Sequence, residues 1–99
     1  MAIQRMPEAG YKLIVHHTLR AQRELHRPVF PWEVQGRLPI PRAEGSLRRD
    51  MYYLYMTGRL VRVGGNDARQ GYRVPTAMER LSWALNGGLW PLGCERVVC

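Results

Sequence analysis

Residues 42–76 read "RAEGSLRRDMYYLYMTGRLVRVGGNDARQGYRVPT", and this stretch decides the fold of the chain. Leu47, Met51 and Leu54 recur at the spacing of one helix face, which predicts an amphipathic helix. Gly58 comes one turn later, where a glycine often ends a helix. Beyond it, two short runs of β-branched and aromatic residues flank a loop rich in turn-forming residues. That pattern predicts an antiparallel hairpin.

The chain before this stretch predicts a longer helix. One stripe of mostly apolar residues recurs every three or four positions: Tyr11, Ile14, Thr18, Ala21 and Leu25. Pro28 is expected to stop this helix, because proline lacks a backbone N–H donor. Val29 and Phe30 stand between prolines and can form only a very short extended segment.

A short second helix is predicted from Pro31 to about Arg37. Proline is well tolerated in the first turn of a helix, and the prolines at positions 39 and 41 favour termination. Either Trp32 or Val34 is expected to be buried on its inner side. The link to the next helix, around "PIPR", is long and rich in proline.

A last helix is predicted after the hairpin, within "PTAMERLSWALNGG". Thr76 followed three residues later by Glu79 is a capping-box pattern. Three apolar residues fall on one side of this helix: Met78, Leu81 and Leu85. Gly87 and Gly88 end it, and the remaining tail is apolar without a clear period.

Charge is the strongest signal in the composition. The 99 residues carry 15 Lys and Arg against 8 Asp and Glu, a formal net charge of +7, which favours an anionic partner and above all nucleic acid. Lys12 is the only lysine. No apolar run approaches the ~18 residues needed to span a bilayer, and the first residues do not resemble a secretory signal. We therefore expect a location in the cytoplasm of a bacterium or host cell, in association with the nucleoid, and no membrane partner.

No motif in the chain indicates an enzyme. The acidic residues are scattered, and there is no phosphate-binding loop, nucleophile elbow or histidine–carboxylate pair. Cys94 and Cys99 form a single pair without a nearby histidine, a poor zinc site. We expect free thiols or an adventitious disulfide there. The sequence therefore predicts no catalytic residue, no metal and no cofactor.

The order of these elements resembles the winged helix-turn-helix family of DNA-binding domains. The resemblance covers residues 11–86 and is carried by the third-helix spacing Leu47, Met51, Leu54 and Gly58, followed by the hairpin that would be the wing. It implies an α+β, mostly helical fold of three helices, a two-stranded wing and an extra C-terminal helix. Residues 1–10 would be a lead-in and residues 87–99 an apolar tail. Gly45 departs from the pattern, because glycine weakens a helix by about 0.5–1 kcal/mol relative to alanine.

The resemblance implies that the third helix enters the major groove of double-stranded DNA and that the wing contacts the backbone or minor groove. The DNA-binding residues would be Arg42, Ser46, Arg48, Arg49 and Tyr52 on the helix, and Arg62, Arg69 and Arg73 on the wing. A solvated, charged surface is the alternative for the helix face, and a mobile polar loop is the alternative for Arg69.

The function implied is sequence-specific DNA binding by a small transcriptional regulator. The first alternative is a winged-helix module that binds protein, such as a phage or mobile-element protein acting on a host complex. The second is nonspecific architectural DNA binding. A homodimer or partner interface is expected at Trp83, Leu89, Trp90 and Leu92, unless Leu89 and Trp90 fold back against the first helix.

Overall fold

The structure, a computed structural model, describes residues 6–64 and 71–90. The elements in chain order are α1 (Glu8–Leu25), α2 (Pro31–Gln35), α3 (Glu44–Met56), β1 (Val61–Val63), β2 (Gly71–Arg73) and α4 (Ala77–Leu85). This is a mostly helical α+β arrangement with four helices and one antiparallel hairpin among the described residues, compatible with a winged-helix-like layout. None of the helices described is long and apolar enough to cross a membrane.

Helix α1 buries the stripe that its sequence predicts. Tyr11, Ile14, Thr18 and Ala21 are buried, and Leu25 is partly buried against the same core. The Thr18 hydroxyl donates a hydrogen bond of 2.7 Å to the carbonyl of Ile14, so its polar group is satisfied inside the core. The helix ends at Leu25 because His26 adopts a left-handed conformation with φ of 55°.

Val29 joins the hairpin to the helical part of the core. Its amide donates to the Tyr72 carbonyl at 2.8 Å, and the Tyr72 amide donates back to the Val29 carbonyl at 2.7 Å. Tyr72 also faces Arg62 in the ladder between β1 and β2. Val29 and Tyr72 are both buried, so the short extended segment after α1 anchors one edge of the hairpin.

Helix α2 is short, and the structure shows which of its two apolar residues, Trp32 or Val34, is buried. Val34 is buried, whereas Trp32 is 44% exposed and stacks on the Phe30 ring at 4.5 Å. The helix ends at Gln35, slightly before the predicted end. The Gln35 amide then donates to the carbonyl of Arg42 at 2.9 Å, which ties down the proline-rich link before α3.

Helix α3 supplies the centre of the core. Leu47, Met51 and Leu54 are fully buried, as their spacing predicts. The helix begins at Glu44, so Gly45 lies in its first turn rather than before it. A Cβ at Gly45 would meet no atom within 4 Å. The glycine therefore leaves an open surface at the start of this helix.

Gly58 makes the turn from α3 into β1, and α4 packs against it. Its φ of 79° lies in the left-handed region that favours glycine, and the next amide, that of Arg59, donates to the Leu54 carbonyl at 2.8 Å. A Cβ on Gly58 would lie 2.6 Å from the indole ring of Trp83. The missing side chain is thus needed for both the turn and the packing of α4.

Helix α4 has the predicted start, and its apolar side faces away from the core. The Glu79 amide donates to the Thr76 hydroxyl at 3.2 Å and the Glu79 carboxylate accepts from the Thr76 amide at 2.9 Å, which confirms the capping box. The apolar side formed by Met78, Leu81 and Leu85 faces outward, with exposures of 72%, 52% and 79%. The core-facing side of α4 is instead occupied by Glu79 and Trp83.

Replacing Gly58 with alanine is expected to destabilise the protein by at least about 1–2 kcal/mol, the usual cost of a left-handed conformation for a residue with a Cβ, with the Trp83 clash in addition. Gly45→Ala is the matched control. It should be neutral or stabilising by about 0.5–1 kcal/mol, because the position is helical and open. Urea denaturation of the two variants and the wild type measures both changes. Equal stabilities of the two variants would contradict the role given to Gly58.

Candidate functional site

The outward face of α3 presents three of the predicted DNA-binding residues together. Arg49 is exposed and has no ion pair among the residues described, and Tyr52 is 46% exposed. Arg48 bonds to Glu44 at 3.0 Å, one helical turn earlier, but both side chains are about half exposed to solvent. Such surface pairs contribute little, at most ~0.5 kcal/mol, so Arg48 can leave Glu44 for another anion. Ser46 is half-buried beside them.

Arg62 on β1 adjoins this helix face. Its guanidinium lies over the Tyr52 ring, 5.4 Å from the ring centre, and 6.0 Å from that of Tyr55. No carboxylate pairs with Arg62 within the part of the chain that the structure describes. A cation held on an aromatic face in this way keeps its charge available to an anion. The structure therefore brings Arg48, Arg49, Tyr52 and Arg62 to one surface.

Arg42 lies at the beginning of the same helix but is engaged elsewhere. Its Nε donates to Asp50 at 2.8 Å, and the Asp50 side chain is largely buried. Breaking a pair with a buried carboxylate leaves an uncompensated charge inside the protein. DNA binding by Arg42 stays a prediction, and its geometry favours a role in holding α3 to the link before it.

Arg73 is likewise held inside the molecule. Its two terminal nitrogens donate to the two carboxylate oxygens of Glu79 at 2.7 and 2.6 Å, and Glu79 is only 7% exposed. The hydrogen bonds from Arg73, with a smaller contribution from Thr76, lower the pKa of Glu79 to about 2 even though burial alone would raise it. A bidentate pair of this kind suits the anchoring of β2 to α4 better than contact with DNA.

Of the residues predicted for the partner interface, two pack inside the molecule, one is exposed and one lies outside the described residues. The Trp90 indole donates to the Tyr55 carbonyl at 2.9 Å, and the rings of Trp83 and Trp90 lie 6.4 Å apart. Trp90 thus folds back on α3 rather than on α1, and Trp83 covers Gly58. Leu89 remains 63% exposed. Arg69 and Leu92 lie outside the described residues, as do Cys94 and Cys99.

A cleft of about 500 Å³ opens beside this surface, and the sequence did not reveal it. Arg62 of β1 lies on its wall. Four aromatic rings, two from α3, one from α4 and one from the chain after α4, surround it: Tyr52, Tyr55, Trp83 and Trp90. These residues are far apart in sequence and share no motif. Only the "MYYLYM" aromatic run gave a signal, and it does not show which rings would face a cavity.

Comparison of the chain with protein-family models, with curated proteins and with solved structures found no match. Within the described ranges, no three His, Cys, Asp or Glu side chains are grouped so that they could hold a metal ion. The candidate site therefore rests on its own geometry.

The Arg73–Glu79 pair predicts acid sensitivity. The pKa of Glu79 is about 2 in the folded protein and near 4.5 in an unfolded chain, so the unfolded state binds more protons between these values. The stabilisation is fully present above about pH 4.5 and is lost as pH falls toward 2. We expect Glu79→Gln to lower the free energy of unfolding by ~2 kcal/mol at pH 7, and this difference to disappear near pH 2. Urea denaturation across this range measures it.

Glu44→Gln is the control for that experiment, because it also removes a carboxylate paired with an arginine, but at the surface. It should change stability by less than ~0.5 kcal/mol at pH 7. A loss at Glu79→Gln no larger than at Glu44→Gln would contradict the structural role of the Arg73–Glu79 pair.

Proposed function

We propose that this chain is a winged helix-turn-helix protein that binds double-stranded DNA in a sequence-specific manner, as a small transcriptional regulator. The single observation that carries the proposal is the surface on which Arg48, Arg49 and Tyr52 of α3 meet Arg62 of the hairpin. These cations are exposed or free of buried carboxylates, in a chain of net charge +7. A basic helix face next to a basic hairpin matches the charge of a DNA groove.

In this proposal α3 lies in the major groove, which at ~12 Å admits one α-helix. Arg48 and Arg49 would read guanine through two hydrogen bonds to O6 and N7, each worth ~1–3 kcal/mol of discrimination. The N-cap residue of α3, Ala43, has no side-chain group to bond the first amides, which suits a phosphate oxygen there. The open space at Gly45 allows that approach.

The wing would contribute Arg62 from its first strand. The stacking of Arg62 on Tyr52 keeps the guanidinium beside α3, so one phosphate or base edge can contact both elements. Arg69 stays a prediction for the minor groove, since narrow minor grooves attract arginine. Arg42 and Arg73 are left out of the proposed interface because their carboxylate partners are buried.

Selection of bound DNA from a random pool tests this function, because an enriched motif distinguishes sequence-specific binding from architectural binding. On the selected site, Arg48→Ala and Arg49→Ala should each weaken binding about tenfold or more. The control is Arg23→Ala, an exposed arginine on α1. It removes the same charge away from the proposed face and should have a much smaller effect.

Unchanged affinity in the Arg48→Ala/Arg49→Ala double variant would refute the proposed face. Binding without any enriched motif would favour an architectural protein. No binding to duplex DNA at low salt would favour the protein-interaction module instead.

The exposed side of α4 favours a second candidate role, self-association. Met78, Leu81 and Leu85 form an apolar row in which Arg80 is the only charged exposed residue of the helix. Two copies of a basic chain can meet along such a row with little charge repulsion, and apolar patches of this kind are typical of interfaces. We propose a second copy of this chain as the occupant, in an antiparallel arrangement of two α4 helices that would match a two-fold DNA site.

Leu81→Glu is expected to shift the protein from dimer to monomer, because it places a charge in the middle of the row. Ile40→Glu is the matched control: Ile40 lies in the link before α3 and is 49% exposed, close to the 52% of Leu81. Sedimentation velocity over a range of concentrations measures the change. A monomeric wild type, or an equal effect of both substitutions, would contradict this interface.

A further inference from the structure

We propose that the cleft beside α3 binds a small planar aromatic carboxylate. The cleft is lined by aromatic rings, and one wall carries the guanidinium of Arg62, which pairs with no carboxylate among the residues described. Its volume of about 500 Å³ lies within the ~300–1,000 Å³ of ordinary small-molecule sites. This inference does not depend on DNA binding.

The aromatic lining favours a flat ligand. Tyr52 and Tyr55 come from α3, and their ring centres are 5.9 Å apart at a tilt of 50°. Trp83 and Trp90 form the other side, with a similar tilt of 48°. Aromatic rings prefer offset or tilted neighbours, so a planar ring can contact both pairs without rearranging the fold. Met56 and Leu89 add apolar surface at the edges.

Two nitrogen donors on lining side chains have no acceptor among the residues described. The Nε of Arg62 and the Nε1 of Trp83 are both buried and make no hydrogen bond within that part of the chain. Buried N–H groups are nearly always bonded, so these two donors call for a partner that the described residues do not supply. Apart from the terminal nitrogens of Arg62, the other side-chain nitrogen donors of the described lining are already used: the Trp90 indole bonds to Tyr55 and the Asn86 amide to the Leu89 carbonyl.

A carboxylate is the group that the Arg62 guanidinium selects. It carries the charge opposite to Arg62, and guanidinium binds carboxylates through two parallel hydrogen bonds. Among the residues that the structure describes, no acidic side chain lines the cleft to compete for Arg62. The lining also offers too few free polar groups to recognise the several polar edges of a nucleobase, so an aromatic acid fits better than a nucleotide.

Indole-3-acetate is a suitable probe, and indole-3-acetamide is its neutral control of nearly the same shape. We expect titration of the ¹⁵N-labelled protein with indole-3-acetate to shift the indole N–H signals of Trp83 and Trp90. Trp32 should not shift, because it stacks on Phe30 at α2, away from the cleft. The acetamide should bind about tenfold more weakly, because it lacks the charge that Arg62 recognises.

Arg62→Gln should lower the affinity for indole-3-acetate about tenfold while leaving that for indole-3-acetamide unchanged. Arg59→Gln, which alters a neighbouring arginine paired with Glu8, should change neither. If Arg62→Gln does not fold, the comparison of the two probes on the wild-type chain still decides. Equal affinity for both probes, equal shifts at Trp32, absence of saturable shifts, or tighter binding of thymidine 5′-monophosphate would each overturn the inference.

Discussion

The close approach of Trp83 to Gly58 is the constraint on which the rest of the surface depends. Only a residue without a Cβ can both turn the chain at the end of α3 and leave room for an indole ring at that position. This contact sets α4 against the end of α3, and the Arg73–Glu79 pair holds the beginning of α4 to β2. With both ends of α4 fixed, the chain that follows passes beside α3, where Trp90 bonds to Tyr55. The aromatic cleft is the space that these contacts leave.

The arginines that were predicted to bind DNA and that the structure describes fall into two groups according to their partners. Arg42 and Arg73 pair with buried carboxylates, so their guanidinium groups hold elements together and are not available to an external anion. Arg49 and Arg62 have no carboxylate partner among the residues described, and Arg48 has only an exposed one. The count of 15 Lys and Arg residues therefore overstates the number of cations free to meet an anion. What the fold provides is position, because Arg48, Arg49 and Arg62 lie together on α3 and β1, whereas Arg23 and Arg80 are exposed elsewhere.

Periodicity predicted the elements well because it follows directly from backbone geometry. The stripe of α1, the Leu47, Met51 and Leu54 row of α3 and the Thr76–Glu79 capping box all appear as expected. The sequence was less informative about what each face meets. Met78, Leu81 and Leu85 do share one side of α4, but that side is exposed, since spacing shows that a face is apolar and not whether anything packs on it. The candidate site shows the same limit: the exposed arginines of α3 were predicted, whereas the pairing of Arg73 was not.

The sequence by itself determined the order of helices and hairpin, the end of α3 just before Gly58 and the basic character of the chain, because these depend on neighbouring residues and on composition. Tertiary structure alone decided which arginines stay available and which rings enclose the cleft. Arg73 and Glu79 are near in sequence, but their bond depends on how β2 meets α4. Tyr55 and Trp90 are brought together across much of the chain. No local pattern encodes such contacts, because they arise only when separate elements pack on a common core.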